Sequence, residues 1–329
     1  MALDDVYTIV RPGQSNGTGD IDALHIEQFQ GLVQGTLDRL SVCAPRIPIK
    51  MVRGTSIISN NAVGQSTLQK ITPGSPIDGS VSKFGKRSLT IDTTIIARAV
   101  LPLLETWQTH YDARAEIARE HGKVLAKQFD QSFFIQAAKA GNLTANTFGL
   151  TSAGHNGGSQ VTFAGASDYQ DPAMLYQKLV DLITAMRLKD VDPLADGVII
   201  AVKPDVFSTL SMNELIIDKN YVTSEGTSIA GQALKTHGVS VVQSNNYVGG
   251  ENISGNLLSN SDNSNAYDGD FTKLVATAFA PQALLAGETI PLTSKLFWDD
   301  ITKNWFVDAW RAYGVTPSVA AFAGNLLNP

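Results

Sequence analysis

The chain is nearly devoid of cysteine: Cys43 is the only one in 329 residues. An intrachain disulfide is excluded, and so is a thiolate cluster for zinc or iron–sulfur. Cys43 itself reads as a small buried thiol rather than a nucleophile. Long apolar runs are also missing. None approaches the ~18 residues of a membrane span, so no membrane partner is expected. The opening Met1-Ala2-Leu3-Asp4-Asp5 lacks the basic flank and apolar core of a signal peptide. The expectation is a protein that stays in the cytoplasm where it is made. Positive charge is scarce as well: 25 Lys and Arg against 31 Asp and Glu give a net charge of −6. That balance argues against a protein embracing a phosphate backbone, whose affinity comes from Lys and Arg. It suits a surface lying near nucleic acid without sticking to it.

What is present is ordinary for a globular protein: 43% hydrophobic and 17% charged residues. The length allows one large core or two smaller ones. Residues 1–19 hold little that forms a core, after which Asp20 can cap a helix running to about Leu40. Gly31 and Gly35 weaken that helix by ~1 kcal/mol each relative to Ala, so it needs a neighbour to lie on. Arg53 to Arg87 is aperiodic, with turn signals at Pro73-Gly74 and Asp78-Gly79. Leu89, Ile91, Thr93, Ile95, Ala97 and Ala99 then alternate along one strand face. Together these stretches predict a long two-stranded projection, and an isolated hairpin is marginal in water. Its partner is expected to be another chain.

A helix from about 103 to 140 follows, with a stripe of Leu104, Trp107, Tyr111, Ala118, Leu125, Phe129 and Phe133. Ile117, Val124 and Ile135 widen the stripe. At 1.5 Å per residue the rod is roughly 55 Å long. Gly122 lies in its middle, and a bend is expected there, with Gly122→Ala slightly stabilising the subunit; close packing against a facing element is the alternative reason for the glycine. Downstream come a helix opened by Asp171-Pro172, a strand at 197–204, a short helix at 206–212 and a strand at 238–244. A long polar surface loop is expected at 249–270, with further strands at 272–281 and 292–315. The fold class is α+β.

Candidate chemistry is thin. Gly13-Gln14-Ser15-Asn16-Gly17 matches the G-x-S-x-G pattern, and "GQSN" also resembles the opening of a group of carbohydrate esterases. A nucleophile elbow needs a tight strand–turn–helix, whereas this Gly-rich loop runs on through Gly19. Those esterases also place an Asp-x-x-His near the C-terminus. Here the last histidine is His237, preceded three positions earlier by Leu234. The five histidines, His25, His110, His121, His155 and His237, sit in separate contexts. His110 and His121 are about 16 Å apart by helical rise, too far to share a metal, and all five read as solvated or interfacial. The run 261–270, "SDNSNAYDGD", fails the calcium-loop register because Ser264 and Ala266 occupy ligand positions. Asp112, Glu116 and Glu120 step by four beside Arg114, Arg119 and Lys123, a solvated charge-laced face rather than paired catalytic carboxylates. No catalytic residue, metal site or cofactor is expected.

Residues 109–130, "THYDARAEIAREHGKVLAKQFD", resemble the spine helix of major capsid proteins from short-tailed bacteriophages of the T-seven group. The shared pattern falls on Tyr111, Asp112, Arg114, Glu116, Gly122 and Asp130. "MVRGTSIISN" (51–60), "TPGSPID" and "LTID" resemble that family's extended loop, and "GDIDALHIEQF" its arm helix. "WRAYGVTPSVAAFAG" closes the ordered series, while 222–270 and the termini diverge. The resemblance implies a Hong Kong 97-type capsid fold. Its parts would be an N-terminal arm (1–52), an extended loop (53–92), a peripheral domain (93–170 and 293–329) and an axial domain (171–292). Ser15 would then lie in the arm, with no enzymatic role.

The implied function is structural. Hexamers and pentamers of the chain would form an icosahedral shell around double-stranded DNA, in the virion of a tailed phage. A scaffolding protein, a portal at one vertex and a decoration protein are the implied partners, with assembly in the bacterial cytoplasm. Lys70, Lys83 and Lys86 lie in the loop region, but this group is not expected to cross-link, and no such site is assigned. An encapsulin-type compartment shell is the alternative within the same fold, and an esterase using Ser15 the alternative outside it.

Overall fold

The computed structural model describes Val33, Thr36 and residues 41–64, 68, 70, 71, 73, 74, 79, 83–102, 113–150, 156–212 and 235–329. Ser15, most of the first helix, the hairpin tip, positions 103–112 and 213–234, and His25, His110 and His155 lie outside these residues. A short strand β1 (Lys50–Met51) precedes the hairpin strands β2 (Ile57–Val63) and β3 (Phe84–Thr90). These pair antiparallel from Ile57 opposite Thr90 to Val63 opposite Phe84. β4 (Ile95–Pro102) continues the line of β3 but joins a different sheet. The predicted alternation survives the change: Leu89, Ile91 and Ile95 are buried, and Asp92, Thr94 and Ile96 are exposed.

Helix α1 spans Ala113–Asn142, about 45 Å by helical rise. β5 (Ser159–Thr162) follows, then α2 (Pro172–Arg187), where the Asp171 carboxylate accepts from Ala173 N at 2.9 Å and Pro172 fills the first turn. Next come β6 (Ile199–Val202), α3 (Pro204–Ser211), β7 (Lys235–Thr236) and β8 (Val239–Gln243). The last part holds β9 (Asn252–Ile253), β10 (Gly269–Asp270), β11 (Leu274–Phe279), β12 (Leu284–Asp299), β13 (Asn304–Pro317) and β14 (Ala323–Leu327). Beside the two-stranded pairs β2-β3 and β9-β10, a four-stranded sheet has the order β1-β12-β13-β4 and a six-stranded sheet the order β5-β14-β11-β6-β8-β7. Strand β12 crosses the 292/293 division drawn from the sequence, and β14 joins the sheet of β6 and β11. Sheet membership follows pairing register rather than chain order.

Helix α1 lies against both sheets. Phe133 stacks with Tyr313 of the four-stranded sheet and Phe129 meets the same ring at a tilt, while Phe134 meets Tyr247 and Phe279 on the other side. The C-terminal half of α1 is therefore buried nearly all round, wider than the single stripe the spacing predicts. Val124, placed on that stripe, is instead exposed beside Lys123 in the first half. The opposite face of the six-stranded sheet is covered by α2 and α3. There Leu175, Leu179, Leu182, Ile183 and Met186 pack with Val206, Leu210, Ile200 and Ala278.

The helix runs unbroken through Gly122, and the reason for a glycine there is contact. Val33 and Thr36, both helical and buried, lie on that spot. A Cβ on Gly122 would stand 2.7 Å from Thr36 Cβ and 3.0 Å from the Val33 carbonyl oxygen. This reverses the sign expected for Gly122→Ala. The substitution will overpack the contact and destabilise the subunit by about 1–3 kcal/mol, read as a lower urea midpoint. An unchanged or raised midpoint contradicts the packing role.

Candidate assembly surfaces

Two faces of the hairpin have different fates. The inner face, with Ile58, Asn60, Ala62, Arg87 and Leu89, lies on the chain itself. Ile58 packs against the cluster of Val52, Ile91 and Ala312, and Ala62 packs with Phe148 and Leu150. Asn60 Nδ2 donates to Ser318 Oγ at 2.9 Å, and Arg87 donates to the Pro317 carbonyl at 3.2 Å and Thr316 Oγ1 at 3.0 Å. Gly85 passes so close to Phe148 that a Cβ would sit 2.5 Å from its carbonyl oxygen. The root of the hairpin is thus held by its own subunit, where the sequence pointed only to another chain. Its outer face presents Ile57, Val63 and Phe84, the last 76% exposed.

The four-stranded sheet also has one buried and one open face. Val307, Ala309, Leu296 and Ile95 face α1. Cross-strand register puts Ile96 beside Trp310, Arg98 beside Asp308, and Val100 beside Phe306 and Phe297 on the other face. Ile96 is 51% exposed and Val100 46%. Phe297 and Phe306 stack at 5.2 Å. Among these apolar groups Arg98 forms two hydrogen bonds with Asp308, at 2.7 and 2.6 Å.

The polar groups inside serve as fasteners. Asp130, fully buried on α1, accepts from Ser41 Oγ at 2.5 Å, Val42 N at 2.9 Å and Cys43 N at 3.1 Å. It ties the segment after the first helix to the rod, a role its place in the sequence pattern does not reveal. Burial, then the Asp130 charge and hydrogen bond, push the Cys43 thiol well above its ordinary pKa, so it stays protonated. Arg311 donates to Glu288 at 2.7 Å while lying over the Phe129 ring at 4.7 Å. His121, read as solvated or interfacial, is buried on α1 instead, and burial lowers its pKa. His237 is exposed, in a left-handed turn. Glu116 pairs with Arg119 and Glu120 with Lys123 on the exposed side of α1.

The stretch 249–270, expected as a polar surface loop, is closely knit. Leu258 and Tyr267 are buried. Asp268 accepts from Gly255 N at 2.9 Å, Asn256 N at 3.0 Å and Ser259 Oγ at 2.6 Å. Desolvation alone would raise the Asp268 carboxyl; the Ser259, Gly255 and Asn256 hydrogen bonds, with the Lys139 charge, outweigh it and hold the pKa below the usual range.

This architecture has solved counterparts. The capsid of Cyanophage P-SCSP1u aligns at a TM-score of 0.72 over 86% of both chains, with 19% identity. The mature capsid of bacteriophage PhiM1 aligns at 0.67 over 86% of this chain and 85% of that one, with 21% identity. A family model for Gp10A-like major capsid proteins matches residues 61–285, more than half of the chain. The chain belongs to the Gp10A-like family of major capsid proteins. Its fold is the α+β, Hong Kong 97-type capsid fold that the resemblance implied. The family is structural rather than enzymatic, and the encapsulin alternative is not favoured. The major capsid protein of Enterobacteria phage T3 is 26% identical over 133 residues, 40% of this chain. The match spans 38% of that relative's length, less than half.

Two outcomes follow for this capsid protein. Asp130→Ala will strand the buried Cys43 N–H, at about 1–3 kcal/mol, and leave the half-buried Val42 N–H without its carboxylate. The result should be a lower urea midpoint and early proteolysis at 41–47; unchanged cleavage there contradicts the tie. A carboxylate whose folded pKa is depressed contributes stability above the ordinary carboxyl pKa, about 4, and loses it as pH falls through the lowered value. Asp268→Asn should therefore flatten the acid limb of the stability curve, measured by urea titration at several pH values.

Proposed function

We propose that many copies of this chain assemble into the icosahedral shell of a tailed bacteriophage, as hexamers and pentamers enclosing double-stranded DNA. The observation that carries this reading is a subunit with two open apolar surfaces, the outer hairpin face at Ile57, Val63 and Phe84 and the sheet face around Ile96 and Val100. A monomer in water gains nothing from exposing both, whereas each is the kind of surface that a second chain covers. Many modest contacts closed into a lattice give strength through multivalency while single errors stay reversible.

The net charge of −6 supports a lumen that holds DNA without base or phosphate grip. A scaffolding protein, a portal at one vertex and a decoration protein complete the proposed partners, with assembly in the host cytoplasm. The proposed units are an arm (1–52), the extended loop (53–92), a peripheral domain (93–170 and 293–329) that contains α1, and an axial domain (171–292). Strand β12, Leu284–Asp299, runs across the proposed 292/293 boundary.

Electron microscopy of the expressed protein with its scaffold tests the reading directly: closed shells are expected, and a persistent soluble monomer at high concentration contradicts it. Phe84→Asp should abolish shells without changing the unfolding free energy from urea titration by more than about 0.5 kcal/mol, since the side chain lies on the surface. Normal shells from that variant would remove the outer hairpin face from the lattice contacts.

A further inference from the structure

The chain changes sheets between Thr90, the end of β3, and Ile95, the start of β4. Beside the contacts of its inner face with β13, the hairpin is joined to the four-stranded sheet through the covalent junction Ile91-Asp92-Thr93-Thr94. This junction contains neither glycine nor proline, the residues that usually set a backbone bend. Its polar side chains are gripped from outside. Asn260 Nδ2 donates to Thr93 Oγ1 at 3.1 Å, and Asn263 Nδ2 reaches Asp92 Oδ2 at 3.4 Å. Thr93 Oγ1 in turn donates to Asp92 Oδ1 at 2.9 Å.

The gripping residues are themselves fixed. Asn260 and Asn263 exchange backbone-to-side-chain bonds at 3.1 and 2.8 Å, and the Asn263 carboxamide also donates to the Leu258 carbonyl at 2.7 Å. The loop carrying them is bolted to α1. Gln128 Nε2 donates to Asn256 Oδ1 at 3.0 Å, and Gln136 Nε2 and Lys139 Nζ donate to the Ala266 carbonyl at 2.8 and 2.7 Å. A third anchor joins the loop to β13. Tyr267 Oη donates to the Val315 carbonyl and accepts from Val315 N, both at 2.9 Å, and burial pushes its pKa up to about 12, so it remains a phenol.

We propose that residues 252–268 form a latch that fixes the angle of the hairpin to helix α1 by holding the Asp92–Thr93 junction. The chain of contacts is continuous from Gln128, Gln136 and Lys139 through Asn256–Ala266 to Thr93. It supplies a mechanical path by which movement of the rod and movement of the strap become one movement. The proposal rests on the hairpin being a lattice strap only for its biological use; the coupling itself is a property of the isolated subunit.

Thr93→Val tests it, since the change keeps the shape and removes the oxygen that Asn260 holds. Hydrogen exchange on the isolated subunit should then rise about fivefold at the junction amide of Ile91, which donates to the Ser56 carbonyl at 2.9 Å, the factor expected from one lost hydrogen bond. Exchange in β6 and β11 should stay within about twofold of wild type on the same argument of local opening. Asn260→Ala, which removes the donor from the other side, should give the same local pattern. An unchanged junction in both variants overturns the latch, and so does an increase spread equally over the six-stranded sheet. Shell formation is scored separately by microscopy, so failure of the shell reading leaves the exchange result interpretable.

Discussion

A helix buried on nearly every side has no free face along which to slide. The second half of α1 is in that position, with Phe129 and Phe133 against one sheet and Phe134, Ala137 and Ala138 in the core toward the other. Both sheets take their positions from this rod. The hairpin root, the 252–268 loop and the segment at Ser41–Cys43 are all referred to it, directly or through one intervening contact. A plate built on a single strut can carry extended appendages, because the strut supplies the rigidity that the appendages lack.

The polar interior follows from the same arrangement. Two sheets meeting on one helix leave backbone groups and side chains that neither ladder satisfies, and these are resolved by a few long-reaching residues. Asn325 Nδ2 donates to the Ala138 carbonyl and to Asn142 Oδ1, at 2.7 and 2.8 Å, and its own oxygen accepts from Thr277. Thr277 continues the line to Tyr247 at 2.7 Å. Such a chain fixes the register of helix against sheet more narrowly than apolar packing does, because each member has few other acceptors in reach.

Much of this was legible in the sequence where local chemistry decides. Asp171-Pro172 marks the start of α2 because its cap and its first-turn proline are both local signals. The 3.6-residue spacing located Ala118, Leu125, Phe129 and Phe133 correctly. The all-round burial of the later turns was not legible, since it depends on two sheets formed from strands far away in the chain. Nor was the role of Asp130 or of Asn260 and Asn263: a buried carboxylate and a cap-like asparagine look in sequence like any polar residue. Gly122 shows the limit most plainly. Its weak helix propensity was visible and close packing was an open alternative, but the neighbour that requires it, Thr36, is remote in the chain. The open apolar faces were half legible, because alternation predicts which residues share a side but not which side stays uncovered.

The distribution of tryptophan has an optical consequence. The chain has four tryptophans, and Trp298, Trp305 and Trp310 all lie on the β12–β13 ribbon. Trp298 and Trp305 pair at 5.3 Å near its turn, and Trp310 stands beside Ile96 on the open face. Indole emission shifts with the wetness of its surroundings, and a ring on an open face dries when that face is covered. The protein therefore carries a built-in chromophore at the surface where subunits would meet, and the kinetics of their meeting can be followed by the colour of its own fluorescence, without a dye.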